Sequence, residues 1–330
     1  MIMTDFPARI VVHDRRGYGL IKPSGEVVVE PWFSFLGDFH EGLACFKEKG
    51  NFGFIDLECA VVIPAEFECD RVDGPRFSSG VSSIARSGRV GYIDHTGKFT
   101  IAPSFQLGWD FVGDYAFVDT DAPAPYQIIN KSGDIITSLD VHEVPYFPEW
   151  PKNWNAFGCL VFNQGEFLAS VFNIEGRCIF PPRYPFLTDF CDGVAGFCEF
   201  EDNYLNPYGL VDLETRIIKQ PQYYSLGNFE GGVARAGFKP GQFGYINTQG
   251  KWVIEPRYRS ACSFSEGLAC VALKKGKKGF VNLLGEMVIE PRFDRDACFH
   301  NGLAEVEYEG KRALINKTGK IIWETEIEDF

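Results

Sequence analysis

The feature that most constrains this chain is a period. Gly244-Tyr245-Ile246-Asn247 leads to a turn at Gly250, an apolar run ending at Pro256, then Tyr258, Phe264 and Glu266-Gly267-Leu268-Ala269. Thirty-five residues on, the same order returns as Gly279-Phe280-Val281-Asn282, Gly285, Pro291, Phe293, Phe299 and Asn301-Gly302-Leu303-Ala304, and a third copy starts at Ala313-Leu314-Ile315-Asn316. A repeat of this length is one supersecondary unit that cannot bury its apolar face alone, so copies must stack on one another.

The Asp or Asn that closes the tetrad marks the copies along the whole chain. The anchors are Lys22 (a substitution), Asp56, Asp94, Asn130, Asn173, Asp212, Asn247, Asn282 and Asn316, at spacings of 34, 38, 36, 43, 39, 35, 35 and 34. Three residues after the anchor stands glycine in seven of nine copies, with Cys59 and Thr215 as exceptions. Nine after it stands proline in six copies, with Pro64 one place early in another. Eleven after it comes an aromatic (Phe33, Phe67, Phe105, Tyr184, Tyr223, Tyr258, Phe293), and seventeen after it a phenylalanine (Phe39, Phe111, Phe190, Phe229, Phe264, Phe299).

Each copy reads as three strands. The tetrad strand turns through D/N-x-x-G into a β-branched run, which is expected to end at the proline because proline lacks a ladder N–H. After a connection of about twelve residues comes an alternating strand such as Leu303 to Glu309, whose period of two marks a half-buried strand. That strand turns at Glu309-Gly310 straight into the next tetrad. The expected fold is therefore all-β, a tandem array of about nine three-stranded antiparallel units, as an open or superhelical array or alternatively a closed β-propeller. The pattern fades between residues 138 and 169. The domain expectation is accordingly repeats over 1–137, a degenerate or hinge segment over 138–169, and repeats over 170–330. Within that segment Tyr146, Phe147, Trp150 and Trp154 lie in a proline-stiffened stretch. They either fill the core of a drifted repeat or form a contact loop, and they are the candidate partner-binding residues.

These residues resemble the WG-repeat (KWG) family of bacterial β-repeat proteins. Its pattern runs basic-Trp-Gly-Tyr-Ile-Asp, Gly, an apolar run, Pro, Phe and Phe-x-Glu-Gly-Leu-Ala, and residues 247–269 follow it closely. The sequence departs in one respect: no Trp-Gly dipeptide occurs, and Tyr18, Phe52, Val90, Tyr208, Phe243 and Lys278 precede the tetrad glycine. The resemblance implies a repeat scaffold and carries over no catalytic residues.

Chemistry is sparse. Five histidines are scattered, and His40 and His300 share one repeat position, which makes them part of the repeat. No H-E-x-x-H, P-loop, G-x-S-x-G or C-x-x-C occurs. The repeated Asp/Asn invites a calcium reading, but one per unit at a strand end is accounted for by capping of its own turn. Of ten cysteines, several sit at repeat positions and read as buried free thiols acting as small hydrophobes, against disulfides or metal ligands. Glu30, Glu255 and Glu290 precede the repeat prolines, either as an acidic ladder or as charges protecting a strand edge. No catalytic residue, metal or cofactor is expected.

A formal net charge of −13 argues against non-specific binding to nucleic acid or anionic membrane. No apolar run approaches the ~18 residues of a membrane span. The first residues show no basic region followed by an apolar stretch, so the expected location is cytoplasmic. The expected function is a non-enzymatic scaffold that engages another protein through a repeated acidic surface, with a basic toxin or effector as possible partner. The alternative is glycan or cell-wall binding through the repeat aromatics.

Overall fold

The structure, a computed structural model, describes residues 9–69, 71–121, 126–139, 156–163, 166–173, 177–188, 190–199, 207–273 and 276–327. Among these residues there is no helix long and apolar enough to cross a membrane. Among the described residues strands alone form the framework, in nine small antiparallel sheets. Each sheet is one repeat, in the order alternating strand, tetrad strand, proline strand. The first is Ile10–Asp14, Gly17–Ile21 and Val27–Phe33, and the last is Leu303–Tyr308, Lys311–Asn316 and Ile321–Glu326. Five sheets gain a two-residue strand outside the alternating strand, such as Phe77–Ser78 or Ser260–Ala261. Two residues are too few to show a period, so these strands left no mark in the sequence.

The chain divides into two compact lobes. One comprises Asp5–Cys159 and Phe172–Cys178, the other Met1–Thr4, Leu160–Val171 and Ile179–Phe330. They are termed the N- and C-terminal lobes. In the region where the pattern fades, Ala156–Asn163 and Glu166–Asn173 are strands of one further sheet with Cys178–Tyr184.

The proline does not end its strand. Val27–Phe33, Val61–Phe67, Trp252–Tyr258 and Met287–Phe293 all run through their prolines. The reason is a bulge. Phe243 pairs with Tyr258 and Tyr245 with Ile254, so two steps on the tetrad strand span four on the proline strand. The looped-out residues lie directly over the tetrad glycine. A Cβ on Gly244 would sit 2.3 Å from the Ile254 carbonyl oxygen and 2.8 Å from the Pro256 nitrogen. The same obstruction stands over Gly19, Gly53, Gly91 and Gly279. The fixed Gly and Pro are thus two halves of one contact: glycine admits the bulge, and proline occupies a place where no ladder N–H is needed.

The residue before that glycine pairs across with the first aromatic, as Tyr18 with Phe33, Phe52 with Phe67 and Lys278 with Phe293. The second aromatic folds back on the ring of the tetrad itself. Phe264 lies 4.5 Å from Tyr245, and Phe111 and Phe299 lie 4.9 Å from Tyr92 and Phe280 between ring centroids. Phe77, four residues late in the sequence, does the same to Phe54 at 4.8 Å. Such tilted and edge-on pairs each add about 1 kcal/mol to the burial of the rings. The half-buried pattern holds for Leu303–Tyr308, where Val306 is buried beside an exposed Glu305. Leu268–Ala272 and Val194–Cys198 differ, being buried at every residue. Side chains leaving both faces of these strands meet other packed groups.

The D/N-x-x-G turn is closed by its anchor. Asn247 Oδ1 accepts the N–H of Gln249 at 3.1 Å and of Lys251 at 2.9 Å, and Asp94 Oδ1 accepts those of Thr96 and Lys98 at 2.8 and 3.1 Å. The anchors therefore cap turns. Where glycine is missing, Cys59 and Thr215 still adopt the left-handed conformation, at φ 66° and 64°.

Two substitutions test these constraints by thermal unfolding. Gly244→Ala forces a methyl into the bulge carbonyl and is expected to cost about 3 kcal/mol. Thr215→Gly removes a β-branched residue from a left-handed position and is expected to stabilise by about 1 kcal/mol, raising the melting midpoint.

Candidate interaction surface

The alternating strand begins opposite the anchor of its own tetrad strand, as Leu268 opposite Asn282 and Leu303 opposite Asn316. The Glu-Gly turns and the D/N-x-x-G turns therefore share one end of each sheet. The Glu-Gly turn is a two-residue hairpin. His40 and Leu43 exchange backbone hydrogen bonds across it, as do His300 and Leu303, and Glu41 and Gly42 both have positive φ. His40 and His300 thus occupy the same repeat place through their backbones.

The side chains of these turns link one repeat to the next. Glu41 accepts the Gly80 N–H at 3.0 Å, Asp192 that of Gly232 at 2.6 Å, Glu230 that of Glu266 at 3.0 Å, and Glu266 that of Gly302 at 2.9 Å. Where serine stands in the turn, Ser79 Oγ accepts the Gly113 N–H at 2.9 Å. A second link runs beside it. Arg257, lying over the Tyr258 ring, donates to the Gly285 carbonyl at 2.7 Å, and Arg292, over Phe293, donates to that of Gly319.

Lys317 adds a salt bridge to Glu266 at 3.0 Å. Burial alone would raise the Glu266 carboxyl, but Lys317 and the N–H groups of Gly302 and Asn301 hold it below its ordinary value. This part of the acidic charge is spent inside the fold.

A second set of acidic groups lies on the proline strand, which forms the edge of each sheet. Glu30, Glu255 and Glu290 are all exposed at the bulge. Glu30 meets Arg16 at 3.2 Å, whereas Glu255 and Glu290 have no salt bridge among the described residues. The same strands expose Val27, Val253 and Val288, and Trp32 is 75% exposed. Edge strand, carboxylate and apolar side chain recur together in both lobes. Tyr146, Phe147, Trp150 and Trp154, the contact residues expected from sequence, lie outside the described residues. The repeat aromatics are in the core: of the thirteen at the two fixed offsets, only Phe33 and Phe39 are not buried.

The strongest polar cluster in the N-terminal lobe is also structural. Asp110 accepts from Arg71 and Arg76, each at 2.7 Å, and Ser83 approaches at 3.4 Å. Each of its carboxylate oxygens is taken up by one guanidinium group. Burial pushes the nearby His40 imidazole down, so it stays neutral around pH 7. Cys45, Cys59, Cys262, Cys270 and Cys298 carry free thiols. Cys45 fits the expected inert hydrophobe, its burial pushing the thiol up to about 12, whereas Cys178 and Cys298 are exposed.

Repeated sheets, bulged edges and carboxylate links between successive turns define a β-rich tandem-repeat protein, an architecture suited to scaffolding. The family model for the WG containing repeat matches residues 18–52, 91–121, 208–237, 243–277 and 279–311. The chain belongs to the WG-repeat family. The absent Trp-Gly dipeptide is explained by the cross-strand pairing, in which the residue before the glycine only has to lie across from the first aromatic. Comparison with curated proteins finds no match.

Among solved structures, BamB from Moraxella catarrhalis is similar at 12% identity and a TM-score of 0.43, over 88% of this chain and 87% of that one. The dihydro-heme d1 dehydrogenase NirN matches at 10% and 0.43, over 98% and 74%. Kluyveromyces lactis Hsv2 matches at 11% and 0.39, over 76% and 96%. Likeness at these scores says nothing of what this chain binds.

The Glu266 link carries a pH signature. Its carboxyl is depressed in the folded state, so its contribution is fully present above the ordinary value of 4.5 and is lost as pH falls through the lower folded value. Glu266→Gln is expected to cost about 1 kcal/mol at pH 7, discounted for partial exposure. Melting curves from pH 7 to pH 3 should show the gap between variant and parent closing below pH 4.5.

Proposed function

We propose that this chain is a non-enzymatic, cytoplasmic scaffold that binds a basic protein through the edge strands of its sheets. The observation that carries the proposal is the recurrence of one exposed motif, a carboxylate at the bulge beside an exposed valine, at Glu30, Glu255 and Glu290. The net charge of −13 supplies long-range attraction for a cationic partner. The bulge and its proline discourage another chain from simply adding a strand to the edge, so the side chains rather than the backbone make the contact. Support for a non-enzymatic role comes from the strongest polar cluster of the N-terminal lobe, in which Asp110 is taken up by Arg71 and Arg76 as a structural contact. The free thiols of Cys45, Cys59, Cys262, Cys270 and Cys298 suit a reducing compartment. Burial takes eleven of the thirteen repeat aromatics away from a glycan, which among the described residues would have to stack on rings such as Trp32, Phe186 and Phe238.

The test is recovery of partners from native lysate at low and high salt, with the double variant Glu255→Lys/Glu290→Lys alongside. A basic protein retained at low salt, lost at high salt, and held about tenfold more weakly by the variant is the expected result. Equal retention by variant and parent, or capture that ignores salt, would overturn the acidic-edge reading.

A further inference from the structure

Cysteines scattered in the sequence meet in the C-terminal lobe. Cys262 follows the short strand Ser260–Ala261, and its N–H donates to the Cys270 carbonyl at 2.9 Å, which sets the two residues side by side on adjacent strands. Cys270 is the buried centre of Leu268–Ala272. The connection after Met287–Phe293 then returns to the same place. Phe299 is buried against Phe280 in the core that also contains Cys270, which fixes the preceding residues Asp296, Ala297 and Cys298 above it. The side chains of Cys270 and Cys298 both lie near enough to the Cys262 thiol to act on it. Cys262 Sγ, Cys270 Sγ and a carboxylate oxygen of Asp296 all lie within 4.8 Å of one another.

The repeat itself does not demand this. The backbone contact of Cys262 with Cys270 recurs as Gly37 with Cys45, Trp109 with Phe117, Thr188 with Gly196 and Gly227 with Arg235. Glycine, tryptophan and threonine serve the fold at the first position, and arginine or phenylalanine at the second. Two facing thiols, with a third and a carboxylate delivered from the next connection, are particular to this repeat among those five.

We propose that Cys262, Cys270, Cys298 and Asp296 form a site for one thiophilic divalent metal ion of the zinc class. Three sulfurs and one carboxylate oxygen are a complete tetrahedral donor set, and metal–sulfur bonds of about 2.3 Å place the sulfurs roughly 3.8 Å apart. Cys262, Cys270 and Asp296 already stand a short contraction from that geometry, and Cys298, exposed on the same connection as Asp296, supplies the fourth donor by turning its side chain inward. On binding, the thiol protons leave to solvent as the metal–sulfur bonds form, and no electron is transferred. The cluster opens to solvent on the side of the exposed Asp296 and Cys298, so an ion reaches it without unfolding. An outer layer is present: the Ala297 backbone lies beside the Cys270 thiol, and Lys278 lies 3.7 Å from Asp296.

The test is titration of the reduced full-length chain with Co2+, followed by sulfur-to-cobalt charge-transfer absorption and tetrahedral ligand-field bands, with displacement by Zn2+. One Co2+ per chain, displaced by Zn2+, is expected, together with a melting midpoint that rises with added Zn2+. Cys262→Ser should abolish the charge-transfer band. Cys298→Ser, at an exposed position that the fold tolerates, should weaken binding roughly tenfold or more. Cys178→Ser, which removes an exposed thiol outside the cluster, should leave the titration unchanged. No charge-transfer band, a band that survives Cys262→Ser, or a Cys262–Cys298 disulfide found by non-reducing peptide mapping would each overturn the proposal.

Discussion

Everything in this structure depends on how closely the bulged proline strand approaches the tetrad glycine. With the Ile254 carbonyl where it is, position 244 has room for hydrogen and nothing larger. The bulge sets the phase of the downstream residues: Tyr258 lands opposite Phe243, and the chain leaves the sheet aimed so that Phe264 returns to the face of Tyr245. A sheet lacking this contact would pair in another register and turn its aromatic side chains to the wrong face. The constraint is local and steric, and glycine and bulge are lost together: Gln127 pairs with Ser138 and Ile128 with Thr137, Ala313 with Glu324 and Leu314 with Trp323, step for step.

On that framework the charged groups sort into two populations. Carboxylates in the Glu-Gly turns are occupied by backbone N–H groups of the following repeat, and the arginines after the proline by its turn carbonyls. These pairs are partly shielded and geometrically fixed, and they tie successive sheets together more than they shape the surface potential. The carboxylates at the bulge face solvent on edge strands. The same residue type therefore has a mechanical role at one end of the sheet and a presenting role at its edge, and only position in the repeat distinguishes them.

The sequence was legible where the physics is local. The strand order, the number of repeats and the capping role of Asp94 or Asn247 follow from fixed offsets, because turn chemistry and glycine sterics act over a few residues. The proline was misplaced at a strand end because a bulge is a property of two paired strands, and one strand's sequence does not display its partner's register. The links made by Glu41 and Glu266 were invisible for a similar reason: their partners are backbone N–H groups some forty residues on, which carry no sequence signal. The meeting of Cys262, Cys270 and Cys298 needed two connections to be folded before it could be seen. Their closeness to the repeat phenylalanines was the one hint, since those rings anchor the connections.

The links between repeats have a consequence for how such a chain changes length over evolutionary time. Most links join a side chain in one copy to a backbone group in the corresponding turn of the next, and the backbone group is supplied by any residue that adopts the turn. A stretch of about one period, duplicated or excised whole, brings its own acceptor on one side and its own donor on the other. The new junction is as well satisfied as the old ones, with no compensating substitution required. A cut at any other phase separates a glycine from the bulge it admits, so growth and loss are quantised in whole copies.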